Sequence, residues 1–237
     1  MFGNRLSHPR ALVSAVALAG LLLGSGAYQA AAAEGGTALR EQRQGTVAQA
    51  STDACTPAGA NQLHCRSLTL QVFDGTERSS AHAPFRGTRV CLSLVTSTVR
   101  ANTPPAEGRA AGYQEEEGCA TLPAGTLQVA PHLARVRLPA TTLTLEQVRC
   151  TPVGRDEAVC AVSGHRQATL SGSWTATSRL VSSHDGTHTQ KGTCVETREE
   201  RERRRETRAE LTLDGQAQAA RSSAVAHVVS RLTRQCR

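Results

Sequence analysis

The sequence has no isoleucine, one Lys (Lys191), one Trp (Trp174) and a single Met at position 1, in 237 residues. Aromatic residues are 3% of the chain, while arginine accounts for nearly all of the 27 basic residues. Ile, Lys and Met use A/T-rich codons, so their scarcity is the imprint of a GC-rich, bacterial-type genome. Arginine number by itself is therefore not evidence of arginine chemistry. The shortage of aromatics is more informative. It leaves few platforms for stacking sugars or unpaired bases, and so disfavours a glycan-binding module or a specific nucleic-acid binder. It also means that any core must be built from Leu, Val and Ala, with little apolar area per residue.

Other absences narrow the chemistry. There is no G-x-S-x-G beyond the N-terminal segment, no S-x-x-K and no glycine-rich phosphate cradle following a strand. With 8 Cys, an even number, no thiol is left over as a nucleophile. Glu115–Glu117 read as part of a long loop, 101–118, without apolar surroundings to tune a carboxyl. No catalytic, cofactor-binding or metal-ligating residue is assigned, and no cofactor is expected. His184-Asp-Gly-Thr-His188 is the sharpest local cluster. Asp185-Gly186 in a β context predicts a two-residue hairpin, which would place the two imidazoles on opposite faces where they could not share a metal.

Only one apolar run is long enough to matter. Ala11–Leu23 follows a basic start (Arg5, Arg10) and precedes Ala30–Ala33, an A-x-A cleavage pattern. The run is short for a membrane span. Residues 1–33 are thus expected to be a cleaved signal peptide. Losing Arg5 and Arg10 leaves 25 basic against 20 acidic residues, a mature charge of +5 with no further membrane-spanning segment. Export and a thin core are the conditions under which disulfides are expected, and all eight cysteines lie in the mature part.

The cysteines also carry a repeat. Cys55-Thr-Pro-Ala-Gly-x5-Cys65 recurs as Cys150-Thr-Pro-Val-Gly-x5-Cys160, and each half of the chain then holds four cysteines. The Thr-Pro-x-Gly turns suggest Cys55–Cys65 and Cys150–Cys160. Confining the bridges to each half then leaves Cys91–Cys119 and Cys194–Cys236. Thr, Val and Ser alternate with period two along 67–73, 89–99, 134–138, 141–145, 168–176 and 208–213, the signature of half-buried strands. Asp-Gly pairs at 74–75, 185–186 and 214–215 mark candidate hairpin turns.

The expected fold is all-β: two tandem, disulfide-stapled antiparallel modules, sandwich or barrel-like. The expected organisation is a flexible lead-in over 34–45, module 1 over 46–139 and module 2 over 140–237. Glu196–Glu210, with six Arg and six Glu, reads as a self-paired short helix or charged hairpin tip, and Trp174 reads as a core anchor. The leading functional expectation is an exported, non-catalytic binding or envelope-associated protein. Its partner would be an anionic envelope polymer or a secreted protein, with no specific nucleic acid. An inhibitor presenting the 101–118 loop, or a hydrolase with a dispersed site, are the alternatives.

Overall fold

A computed structural model describes residues 37–59, 61–100, 113–153 and 158–236. The expected signal peptide therefore lies outside the described residues. The elements, in chain order, are β1 (Thr37–Gly59), β2 (Gln62–Ser79), β3 (Phe85–Arg100), β4 (Tyr113–Leu122) and β5 (Gln128–Val129). After a single 3₁₀ turn at Pro131–Leu133 come β6 (Arg135–Pro152), β7 (Ala158–Ala176), β8 (Val181–Lys191), β9 (Cys194–Leu213), β10 (Gln216–Ala219) and β11 (Ser222–Cys236). The protein is all-β, and every strand pair is antiparallel.

Eight of the strands close on themselves. Following the ladders, β1 pairs β2, then β3, β4, β6, β7, β9 and β11, and β11 returns to β1. A closed ring satisfies backbone groups that an open sheet would leave at its edges. β8 and β10 lie outside the ring as extra partners of β9. The expected boundary at Pro139 falls inside β6, and strands from both halves share one sheet through β4–β6 and β1–β11. Residues 34–237 accordingly form one compact unit.

The repeat is visible as a correspondence between the halves. In the first, Cys55–Cys65 joins β1 to β2 and Cys91–Cys119 joins β3 to β4. In the second, Cys150–Cys160 joins β6 to β7 and Cys194–Cys236 joins β9 to β11. These are the four expected pairs. Each links residues directly opposite one another on adjacent strands.

Alternation sorts the remaining side chains. Leu68, Leu70 and Val72 on β2, Val90, Leu92 and Leu94 on β3, and Leu143 and Leu145 on β6 point into the ring. So do Ala168, Leu170 and Trp174 on β7 and Ala209, Leu211 and Leu213 on β9, giving one packed core. By the same alternation seven of the cysteines sit on the outer side, and the register shift between Gln147 and Val148 puts Cys160 there opposite Cys150. Trp174 is fully buried, as expected of a core anchor, and its indole Nε1 donates to the Gln49 carbonyl at 2.9 Å.

Several local expectations are corrected. Residues 37–45 are not a lead-in but the first half of β1, paired with β11 and β2. Glu196–Glu210 is neither helix nor tip; it is the interior of β9. Residues 113–118 belong to β4 rather than to a loop. Of the three Asp-Gly pairs only Asp214-Gly215 turns the chain, with φ of 51° and 77°. Asp185-Gly186 runs straight through β8. Asp74-Gly75 lies within β2, where Gly75 stands opposite Gly45 on β1 and Gly87 on β3. A Cβ on Gly75 would strike the Gln44 carbonyl oxygen, so this glycine serves close backbone approach rather than a turn. Phe73 and Phe85 flank the glycine row on the outer side with ring centroids 6.1 Å apart, and Arg43 and Arg89 stack on them.

Candidate functional site

Two places concentrate charge on the inward side of the strands. The first closes one mouth of the barrel. Inward positions on β4, β6 and β7 just beyond the apolar core are Glu116, Gln147 and Arg166. The Arg166 guanidinium donates to Glu116 Oε2 through Nε and Nη2 at 2.8 and 2.6 Å. Its Nη1 donates to Asp214 Oδ2 at 2.7 Å. Gln147 Nε2 donates to Glu116 Oε1 at 2.9 Å, and Asp214 Oδ1 accepts the Thr169 amide at 2.8 Å.

The electrostatics follow from these contacts. Burial pushes the Glu116 carboxyl up, but hydrogen bonds from Arg166 and Gln147, with the Arg166 charge, outweigh it and hold the group below the usual carboxylate range. Asp214 is held low chiefly by the Thr169 amide, with Arg166 adding to it against a partial burial cost. Glu115, on the opposite face of β4, behaves differently: burial and then the neighbouring Glu117 raise it. The sequence reading that this glutamate run is untuned is therefore corrected. The reason is that β4 places alternate glutamates on opposite sides of the barrel wall. Glu116, Arg166 and Asp214 are paired with one another, so they function as a latch among β4, β6, β7 and the β9–β10 turn, and the nearby Arg66 adds positive charge to both carboxylates. Beyond it lies an open groove of about 300 Å³, lined by His64, Thr96–Thr98, Tyr113, Gln114 and Arg149–Thr151.

The second place is an arm at the other end, where β8, the first half of β9, the end of β11, the start of β1, the end of β2 and the start of β3 run past the barrel. Here β9 separates its charges by parity. Within 196–210 the inward positions hold Glu199, Arg201, Arg203 and Arg205, while the outward positions hold three Arg and five Glu. The ladders extend the inward face sideways. One cross-strand row reads His184, Arg201, Val229, Gln44, Thr76, Arg86. The next reads Gly186, Glu199, Arg231, Gln42, Arg78.

This inward arm face holds six arginines (78, 86, 201, 203, 205 and 231) against Asp74 and Glu199, a net of +4. Asp74 is already engaged by the Gly125 and Leu127 amides. Among the described residues, Arg78, Arg86, Arg201, Arg203 and Arg231 are exposed and form no ion pair. On the outward face Arg43 and Arg89 share Glu77 and Lys191 pairs with Glu196, while Arg198, Arg204 and Arg208 form no ion pair among the described residues and stand among the five Glu of β9.

The cysteines, the only site residues expected from sequence, are all disulfide-bonded. His184 and His188 are on the same face of β8, not opposite faces, because no turn separates them. The strand rise still sets them about 13 Å apart, and His188 Nδ1 lies 3.0 Å from the Thr197 hydroxyl. Among the described residues no three His, Cys, Asp or Glu side chains converge as metal ligands. Residues 101–112 of the expected inhibitory loop lie outside the described residues. No helix among the described residues is long and apolar enough to cross a membrane. The arginine face was missed from sequence because the segment's charges sum to zero; reading it with period two would have revealed it.

No family model matches the chain, and no curated protein sequence matches it. Among solved structures, the chain overlaps one described as "Enduracididine Biosynthesis Enzyme MppR with HEPES Buffer Bound" at TM-score 0.22 and 12% identity. The overlap covers 83% of this chain and 85% of that one, and a superposition this loose carries no argument about fold or activity.

Proposed function

We propose that this is an exported, non-catalytic binding protein that holds an anionic partner on the inward face of the β8–β9–β11–β1 arm. The observation that carries this reading is the excess of arginine over acid on that face, a net of +4, beside an outward side of β9 where five Glu outnumber three Arg. Such a face attracts polyanions through contacts that weaken as salt rises. Four disulfides fit an oxidising, extracytoplasmic setting, and the leader pattern of residues 1–33 fits delivery there. The packed interior, filled by Trp174 and the leucines, argues that a ligand is met on the surface rather than inside the barrel.

The test is retention of the purified 34–237 chain on immobilised anionic polymer across a salt titration. Retention should fall steadily with salt and be lost on an uncharged polymer of the same backbone. Absence of retention at low salt would overturn the reading.

A further inference from the structure

The arginines of the arm are ordered as well as numerous. From β3 to β9 they form a track: Arg86, Arg78, Arg231, Arg201, Arg203. Arg86 to Arg78 is one strand across and one cross-strand row along; Arg78 to Arg231 is two strands across. Arg231 to Arg201 is again one strand and one row, and Arg203 follows two residues further on β9. With strands about 4.8 Å apart and alternate residues about 6.8 Å apart, the steps are roughly 7–10 Å each. Gln42, Gln44 and Thr76 fill the positions between them. At one side of the track is a hollow of about 150 Å³ lined by Thr37, Thr197, Glu199, Arg231 and Thr233. The face therefore offers a line of charged forks with hydroxyl and amide donors between.

What it does not offer is equally specific. The mature aromatics are Phe73, Phe85, Tyr113 and Trp174. Phe73 and Phe85 lie on the outward side under Arg43 and Arg89, and Trp174 is in the core. Tyr113 sits at the opposite end of the barrel beside the Cys160 sulfur. None is on the track, so nothing there stacks on a base or a sugar ring. A ligand held here is held by its anionic groups and its flexible linkers.

Resting on the reading above, we propose that the track binds a linear phosphodiester polymer without bases, of the poly(glycerol phosphate) kind. Guanidinium forks match the paired unesterified oxygens of a phosphodiester, the intervening Gln and Thr side chains reach linker hydroxyls, and a ring-free backbone needs no aromatic support.

The experiment compares the 34–237 chain on four probes matched in charge where charged: poly(glycerol phosphate), polygalacturonate, single-stranded DNA and uncharged dextran. Poly(glycerol phosphate), whose ring-free backbone can follow the track without an aromatic to support it, is expected to bind about tenfold tighter than the ring-built polygalacturonate. The double variant Arg201→Gln/Arg203→Gln should lose most of this binding and flatten the salt dependence by about 1.5 in log–log slope. Arg78→Gln/Arg86→Gln, at the far end of the track, should weaken binding in the same direction. Arg201→Lys/Arg203→Lys keeps the charge but removes the forks. It should retain salt-sensitive binding at reduced affinity, because an ammonium is a point charge where the guanidinium makes two parallel bonds. Circular dichroism and the four disulfides report that each variant is folded.

Equal binding of polygalacturonate, or a lysine variant that binds as tightly as the parent, would overturn the ligand assignment and leave the anionic-partner reading standing. Single-stranded DNA binding as tightly as poly(glycerol phosphate) would do the same and make the face a nucleic-acid surface. Failure to bind any charged probe would instead overturn the reading beneath it.

Discussion

Trp174 on β7 donates its indole Nε1–H to the Gln49 carbonyl on β1 at 2.9 Å, although β9 and β11 separate these two strands around the ring. The bond ties opposite parts of the barrel through a side chain that is itself fully buried. Trp174→Phe keeps much of the apolar volume but leaves that carbonyl without the indole. The expected cost is about 2–3 kcal/mol, and Trp174→Ala should cost about 3–5 kcal/mol through the added cavity. Chemical denaturation midpoints measure both. A phenylalanine variant as stable as the parent would show that the cross-barrel bond contributes nothing net.

The mouth latch has a defined pH signature. Glu116 and Asp214 have folded pKa values below their ordinary ones, so their contribution is present above the usual carboxylate range. It is lost as pH falls through the lowered folded values. Glu116→Gln should therefore destabilise the protein at neutral pH by about 1–3 kcal/mol, with the difference from the parent shrinking in strong acid. Glu115 has the opposite sign. Its folded pKa is raised, so the fold is penalised as pH rises past the unfolded value, and Glu115→Gln should raise the melting temperature at neutral pH. Thermal melts across pH distinguish the two. A Glu116→Gln deficit that persists undiminished in acid would mean that the side chain matters for packing and not for charge.

These two glutamates show where sequence reading stopped. Strands such as β2, β3 and β7 were legible because Leu68, Leu70 and Val72, or Ala168 and Leu170, alternate with polar neighbours. The disulfide pairing was legible because a repeated motif spaces Cys55 from Cys65 and Cys150 from Cys160 across a hairpin, although its Thr-Pro residues lie in the ladders rather than in the turn. Ring closure was not, because it depends on β1 meeting β11 at the far end of the chain, and no local pattern encodes that meeting. The β9 segment was ambiguous for a geometric reason. Residues four apart, such as Glu199 and Arg203, share a face on a helix and also on a strand. The net charge of that segment concealed the arginine face for the same reason, since a sum ignores which side each residue faces.

The four disulfides should differ in what their loss does. Cys91–Cys119 ties β3 to β4 on the outer side of the barrel, at a position flanked by buried Val90 and Leu92, so removing it loosens the cooperative core. Cys55–Cys65 lies near the tip of the β1–β2 hairpin, beyond the packed layers. Cys91→Ser/Cys119→Ser should lower global stability by about 3 kcal/mol. Cys55→Ser/Cys65→Ser should mainly raise amide exchange in the hairpin tip, with a smaller global effect. Hydrogen exchange alongside denaturation tests this ordering, which is reversed if the hairpin pair proves the costlier to remove.

The closed ring makes a prediction about the halves. A chain cut near Pro139 is severed within β6, and residues 34–139 then keep β1 to β5 while losing β11 against β1 and the rest of β6 against β4. Leu68, Leu70, Leu92 and Leu94, buried in the whole protein, would then face water from an open sheet with two long free edges. Both of that half's disulfides can still form, because Cys55–Cys65 and Cys91–Cys119 lie within it. They restrict the unfolded chain but do not supply the missing apolar partners from β7 and β9. The 34–139 fragment should therefore aggregate or lack a cooperative thermal transition, and co-refolding it with 140–237 should restore one. A soluble monomeric fragment that melts cooperatively on its own would show that the repeated unit folds independently, and that ring closure adds to a stability each half already has.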